Sequence, residues 1–204
     1  MIKTGITGGI GSGKSVVSSL FTLEGIPVYE ADKESRRLTD TAPAIREQLI
    51  SLIDDALYKN DRLDRQRLAS IIFADETLLK QVNEIIHPVV RQDFKEWIAK
   101  QTSEYCALES AILYESGFDK DVDIVLMVYA PVELRLTRAM KRDGVSEAEI
   151  LRRMNRQMPD ELKRNKADYV IINDGVQPLI PQVERFNAKW IMQNAKLRFK
   201  IQNL

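Results

Sequence analysis

The 204-residue sequence predicts an α/β fold: a five-stranded parallel sheet with helices along its flanks. Three observations carry that prediction. Five short, almost continuously apolar runs punctuate the chain, as strands covered on both faces do. Stretches with helical spacing separate them, and alternation of this kind is what a parallel sheet requires. A glycine-rich turn starting at residue 8 joins the first run to a helix.

The first strand is read at Ile2–Thr7. Gly8-Gly9-Ile10-Gly11-Ser12-Gly13-Lys14-Ser15 then fits G-x-x-x-x-G-K-[ST], and Val16-Val17-Ser18-Ser19-Leu20-Phe21 begins a helix. Strand, turn and helix start are the setting in which this string binds phosphate. Glycines let the backbone curl so that its N–H groups converge on an anion, and the helix start adds positive potential. Lys14 is expected to neutralise the outer phosphates and the Ser15 hydroxyl to hold Mg²⁺. Gly9, Gly11, Ser12, Gly13, Lys14, Ser15 and Val16 are therefore the candidate contacts for a nucleoside triphosphate, and the fold expected is P-loop NTPase-like. The bland alternative, a glycine turn that merely caps a helix, does not account for all four fixed positions.

Gly25 is expected to end the first helix, and Ile26–Glu30 to form the second strand. Asp32 follows it, at the sheet edge where a site belongs. It is either a base that takes a proton from an acceptor hydroxyl or an N-cap for Lys33-Glu34-Ser35-Arg36-Arg37. Residues 33–103 are read as an inserted helical subdomain, because Leu49, Leu52, Ile53, then Leu68, Ile71, Ile72, then Val82, Ile85, Ile86 recur at steps of three and four. Arg65 and His87 within it are each either structural or contacts to a hydroxyl or phosphate.

Tyr105–Leu108 is the third strand, followed by Glu109 and Glu115, two carboxylates that could steady a magnesium ion through its waters or simply be solvated. Ile124–Tyr129 is the fourth. Pro131 is placed at the first position of the next helix, Ser146-Glu147-Ala148-Glu149 has capping-box spacing, and Pro159 is read as a stop. The segment 135–166 is the densest basic region, with Arg135, Arg138, Lys141, Arg142, Arg152, Arg153, Arg156, Lys163, Arg164 and Lys166. Two arginine-bearing helices split by Asp143-Gly144-Val145 look like a helical lid, although surface ion pairs would explain the same composition. Tyr169–Ile172 is the fifth strand, and a closing helix is expected from about Pro178 to Leu204. Asn165-Lys166-Ala167-Asp168 matches a guanine-reading string but precedes its strand instead of following it. Asn173-Asp174-Gly175 is the better base contact.

Composition narrows the class further. Thirty basic and thirty acidic residues leave no net charge, which gives no global drive toward nucleic acid or anionic membrane. One cysteine, Cys106, rules out an intramolecular disulfide or a cysteine-rich zinc site. No apolar run approaches the ~20 residues of a membrane span. A soluble, cytoplasmic protein is expected.

Taken in order, the P-loop, Ala31-Asp32, Leu63-Asp64-Arg65 with Ile72-Phe73, Ile85-Ile86-His87-Pro88, Arg138 to Asp143, Ser146 to Pro159, and Ala167-Asp168-Tyr169-Val170-Ile171-Ile172-Asn173-Asp174-Gly175 resemble the dephospho-CoA kinase family over most of the chain. Two strings depart from the family pattern: Glu30-Ala31-Asp32 for Asp-Ala-Asp, and Ala111-Ile112-Leu113-Tyr114-Glu115 for Pro-Leu-Leu-Phe-Glu. The resemblance implies transfer of the ATP γ-phosphoryl to the ribose 3′-hydroxyl of dephospho-CoA, the last step of coenzyme A synthesis, with Mg²⁺. It implies Asp32, Lys14 and Arg142 as catalytic residues, and Asp32, Arg65, His87 and Glu109 on the acceptor. It also implies Arg138, Arg142, Arg153, Asn173 and Gly175 on ATP. The expected partners are ATP and dephospho-CoA only, for a single kinase domain acting as a monomer or weak homo-oligomer. Its core is expected at about 1–32, 104–134 and 167–204, with the insertion at 33–103 and the lid at 135–166. Kinases of nucleosides or nucleoside monophosphates come second, and a P-loop hydrolase or switch third.

Overall fold

The structure is a computed structural model that describes residues 1–73 and 75–202, with side chains to residue 190. It divides into two compact units, Met1–Val28 with Ser103–Leu204, and Tyr29–Thr102.

In the first unit β1 (Ile2–Thr7) leads through the glycine-rich turn to α1 (Lys14–Leu23). The helix ends where Gly25, at φ 78°, turns the chain; its N–H bonds to the Thr22 carbonyl and that of Ile26 to the Phe21 carbonyl, each at 3.0 Å. This is the left-handed exit expected of a glycine at that place. β2 (Val28–Glu30) is shorter than the sequence suggested, and the chain passes into the second unit within it.

The second unit contains α2 (Ala31–Thr41), α3 (Pro43–Leu52), a hairpin of β3 (Tyr58–Lys59) and β4 (Arg62–Leu63), α4 (Arg65–Ile72) and α5 (Glu76–Ala99). The hairpin is added to the helices expected there. Asn60 and Asp61 both hold positive φ, 49° and 61°, as a two-residue hairpin turn of primed type demands. Asp64 and Asp75 cap α4 and α5, accepting from the N–H groups of Arg67 and Leu78 at 2.9 Å. Of the apolar stripes, Leu49, Leu68, Val82 and Ile86 are buried. Tyr29 and Phe94 pack at 5.1 Å between ring centroids, and the Tyr29 hydroxyl donates to Asp93 Oδ2 at 2.7 Å.

Returning to the first unit, the chain forms β5 (Tyr105–Glu109), β6 (Ile124–Tyr129), α6 (Val132–Asp143), α7 (Glu147–Met154), α8 (Asp160–Lys166), β7 (Tyr169–Ile172) and α9 (Leu179–Gln202). Residues 203 and 204 of the expected closing helix lie outside the described residues. The five-stranded parallel sheet has the order β2-β5-β1-β6-β7. β1 is central, with Ile6 opposite Glu109 of β5 on one side and Leu126 of β6 on the other. The strand order reverses around β1, so the turn after it opens at the switch point where such sheets bind ligands. One sheet face buries Ile6, Ala107, Leu126, Val128 and Ile171 against Val17 and Phe21 of α1 and Val183 and Phe186 of α9. On the other, Gly5 lacks a side chain because Leu113 and Val122 close directly over it. Cys106 sits inside β5, 1% exposed, and burial pushes its thiol up to about 11.

The basic segment holds three helices where two were expected. Pro131 stands just before α6 as its N-cap, and Pro159 caps α8 and so starts a helix as well as ending the preceding segment. Ser146 does cap α7, accepting from the Glu149 N–H at 3.4 Å. Asp168 bonds the Val125 N–H at 2.8 Å and fastens the amino ends of β6 and β7 together, which disposes of a base-reading role.

Candidate active site

The phosphate loop is held open by its glycines and from outside. Gly13, at φ 94°, is the N-cap of α1, and a Cβ there would strike the Asn173 amide. A side chain on Gly11, at φ 79°, would strike the Arg135 backbone. Only glycine serves at either place, on grounds of φ and of space. Ser15 is exposed at the first turn of α1, whereas Ser12 is buried and its hydroxyl has no hydrogen-bond partner among the described residues. A buried hydroxyl of that kind is costly unless it meets a polar group. A phosphate oxygen in the loop would satisfy it.

Lys14 is 9% exposed and points back over the loop, its ammonium 3.4 Å from the Gly9 carbonyl and 4.0 Å from Glu109 Oε1. Glu109 ends β5, directly beside β1 in register, which is why two residues so far apart in sequence meet. Glu115 is placed elsewhere: its Oε1 accepts from the Met158 N–H at 2.7 Å and pairs with the fully buried Lys163 at 3.0 Å. Lys163 also donates to the Ala111 carbonyl at 2.6 Å. Of the two carboxylates, Glu109 is the one beside the loop.

Asn173 and Arg138 are brought together, though on protein groups. The Asn173 amide donates to the Ser12 carbonyl at 2.8 Å, and Arg138 donates to the Asn173 backbone and side-chain oxygens at 3.1 and 3.3 Å. Gly175, at φ 87°, turns the chain beyond Asn173. Arg142 and Arg153 converge on Asp143, with nitrogen–oxygen distances of 2.7 Å each. The hydrogen bond from Arg142, opposed by partial burial and seconded by Arg153, holds the Asp143 carboxyl down at about 2.

Arg135 entered above only as one basic residue of 135–166, and Gln157 and Asp160 had no role of their own. Arg135 is 4% exposed, donates from Nε to the Ile10 carbonyl at 2.9 Å and forms an ion pair with Asp160. Burial lowers its guanidinium from the usual arginine range. Gln157 Oε1 accepts from the Ile10 N–H at 2.9 Å. One signal was available: Arg135 lies four residues before Ala139, which is 1% exposed, on the inward face of α6.

The second unit holds the other candidates. Asp32 lies within the first turn of α2 and is exposed; the N-cap is Glu30, so the capping alternative for Asp32 is replaced by a carboxylate near a helix start. Arg65 is engaged with α2, donating to the Arg36 carbonyl and to Asp40 Oδ2 at 2.8 Å each. Asp40 also accepts from the Leu63 N–H at 3.0 Å; burial raises its carboxyl, but these hydrogen bonds and the Arg65 charge outweigh that and leave it below its ordinary value. His87 is half-buried in the middle of α5, just before Pro88, and burial, then the charge of Arg91, lowers its imidazole below the usual range.

Among the described residues no three histidine, cysteine or acidic side chains group as a metal site, and no helix is long and apolar enough to cross a membrane. Magnesium dehydrates reluctantly and binds with few protein ligands beside phosphates and water. The exposed Ser15 hydroxyl fits that mode.

Comparison with known proteins supplies the family. A family model described as CoaE, dephospho-CoA kinase, matches residues 2–178. A dephospho-CoA kinase of Bacteroides fragilis (strain YCH46) is 49% identical over 183 residues, 89% of this chain and 89% of the relative. A solved structure from Thermus thermophilus superposes with a TM-score of 0.81 at 34% identity, covering 94% of this chain and 97% of that one. The dephospho-CoA kinase from Campylobacter jejuni gives 0.65 at 26% identity over 96% and 98%.

Proposed function

Because the chain belongs to the dephospho-CoA kinase family, we propose that it transfers the γ-phosphoryl of ATP to the ribose 3′-hydroxyl of dephospho-CoA. The observation that carries this reading is the glycine loop at the head of α1, with the nearly buried Lys14 ammonium lying over it beside Glu109. Phosphoryl transfer asks little covalent chemistry of a protein; it asks for alignment and for positive charge where negative charge spreads.

The N–H groups of the loop orient the β- and γ-phosphates, and Lys14 follows the charge that develops on the bridging oxygen. Ser15 would hold Mg²⁺, which when bound neutralises the phosphate oxygens. Glu109 keeps Lys14 directed over the loop. On the acceptor side Asp32 takes the proton of the 3′-hydroxyl, and Arg65 and His87 hold the acceptor within Tyr29–Thr102. Arg142 and Arg153, released from Asp143, reach the phosphates, while Asn173 and Gly175 border the adenine. The cytoplasm, where ATP is abundant, is a compartment that suits this activity.

A coupled assay of ADP release with dephospho-CoA, adenosine and AMP as acceptors tests the proposal. Dephospho-CoA should be preferred by at least a hundredfold in kcat/KM, about 3 kcal/mol. Equal or greater activity on AMP would favour a nucleoside monophosphate kinase instead, and release of ADP without any acceptor a hydrolase.

A further inference from the structure

The loop that receives the phosphates is gripped from outside at consecutive points. The N–H of Ile10 is taken by Gln157 Oε1 at 2.9 Å, and the carbonyl of Ile10 by Arg135 Nε at 2.9 Å. Two residues on, the Ser12 carbonyl is taken by the Asn173 amide at 2.8 Å. A trans peptide is planar, with its carbonyl and the following N–H pointing in opposite directions. Fixing the Ile10 carbonyl against Arg135 therefore turns the Gly11 N–H away from α6. Fixing the Ser12 carbonyl against Asn173 does the same for the Gly13 N–H. A loop that works by aiming N–H groups is aimed by whatever holds the carbonyls behind them.

Arg135 is not itself a phosphate ligand. It is 4% exposed, and its charge is met by Asp160 at the head of α8. Its guanidinium lies so close to Gly9, and its backbone to Gly11, that a Cβ at either glycine would collide with it. A buried, paired arginine in van der Waals contact with two loop glycines acts through the backbone it touches.

We propose that Arg135, oriented by Asp160 and seconded by Gln157, is a positioning residue for phosphoryl transfer: it sets the peptide plane that directs the Gly11 N–H at the nucleotide's polyphosphate. The inference rests on the reading that this loop binds ATP. It also gives the basic segment a second task, since α6 and α8 shape the donor site from behind while other arginines of the segment remain near solvent.

The test is calorimetric titration of the full chain with ADP and with adenosine, for wild type, Arg135→Met, Asp160→Asn and Gln157→Leu. ADP carries the phosphates the loop holds; adenosine does not. Arg135→Met should weaken ADP about tenfold, the scale of one charge-assisted hydrogen bond, and leave adenosine within twofold. Asp160→Asn and Gln157→Leu should each shift ADP several-fold in the same direction, again sparing adenosine. If Arg135→Met does not fold, the other two variants decide. ADP affinity unchanged in all variants that fold, or ADP and adenosine weakened alike, overturns the proposal, the second outcome pointing to a general structural role. Variants that lose ADP selectively, beside a wild type that binds ADP but fails to phosphorylate dephospho-CoA, would sink the proposed function and leave this inference standing.

Discussion

The Lys14 ammonium lies 4.0 Å from Glu109 Oε1, and both residues are less than a tenth exposed. A nearly buried cation beside a nearly buried carboxylate is held in place by its partner, and a longer-range anion arriving at the loop finds it already directed. Lys14→Ala should therefore reduce kcat/KM for ATP by about a hundredfold or more, roughly 3 kcal/mol, as loss of one charge-stabilising donor does. Steady-state kinetics with ATP varied at saturating dephospho-CoA measures it. An unchanged rate together with an unchanged ATP affinity would remove Lys14 from the site.

Asp32→Asn separates proton acceptance from nucleotide binding. ATP affinity should stay within a factor of two while kcat falls by about 10²–10⁴, the range for loss of a general base. Survival of kcat within about tenfold, roughly 1.4 kcal/mol, would show that the 3′-hydroxyl needs no carboxylate at this position.

Arg65 faces two demands, and kinetics can divide them. Its bonds to Arg36 and Asp40 predict that Arg65→Ala lowers unfolding stability by about 1 kcal/mol in urea, modest because the side chain is partly solvated. A role on the acceptor predicts in addition a rise in KM for dephospho-CoA, with KM for ATP unmoved. A stability loss with both KM values unchanged would make Arg65 a strut between α2 and α4 and nothing more.

His87 sets a pH dependence whose sign follows from burial. Its folded-state imidazole titrates below the unfolded one, so below about pH 6.5 the unfolded chain takes up the proton first. Stability associated with His87 is thus complete above that pH and declines as pH falls through 6.5 toward the folded value. Urea unfolding at pH 8 and pH 5 should show wild type losing more between the two than His87→Gln does. Equal losses would mean that His87 is no more buried than in the open chain.

The strands and the loop were legible because their signals are local. Continuous apolar runs, four fixed positions in eight residues, Gly25 and the Ser146 cap need no knowledge of what lies across the molecule. The β3–β4 hairpin was not legible by periodicity, since strands of two residues have no period; its trace was Asn60-Asp61, residues that tolerate positive φ. The basic segment shows a different limit. Arg135, Arg138 and Arg142 are alike as letters, yet one is buried behind the loop, one holds Asn173 and one pairs with Asp143. Which arginine faces inward is fixed by where α6 lies against the glycine loop, a tertiary fact. Likewise Glu109 and Glu115 were both candidates to steady the metal until strand register put one beside Lys14 and the Lys163 ammonium claimed the other.

Cys106 has a practical consequence of its own. The chain's one thiol is shut inside β5, between its neighbours in the central sheet, and titrates near 11. It is the thiolate that attacks an alkylating reagent, so in the closed sheet both access and ionisation are withheld. The residue is a built-in clock: its modification rate at fixed pH reports how readily the sheet opens, and nucleotide or acceptor that steadies the sheet should slow it, with no engineered cysteine needed.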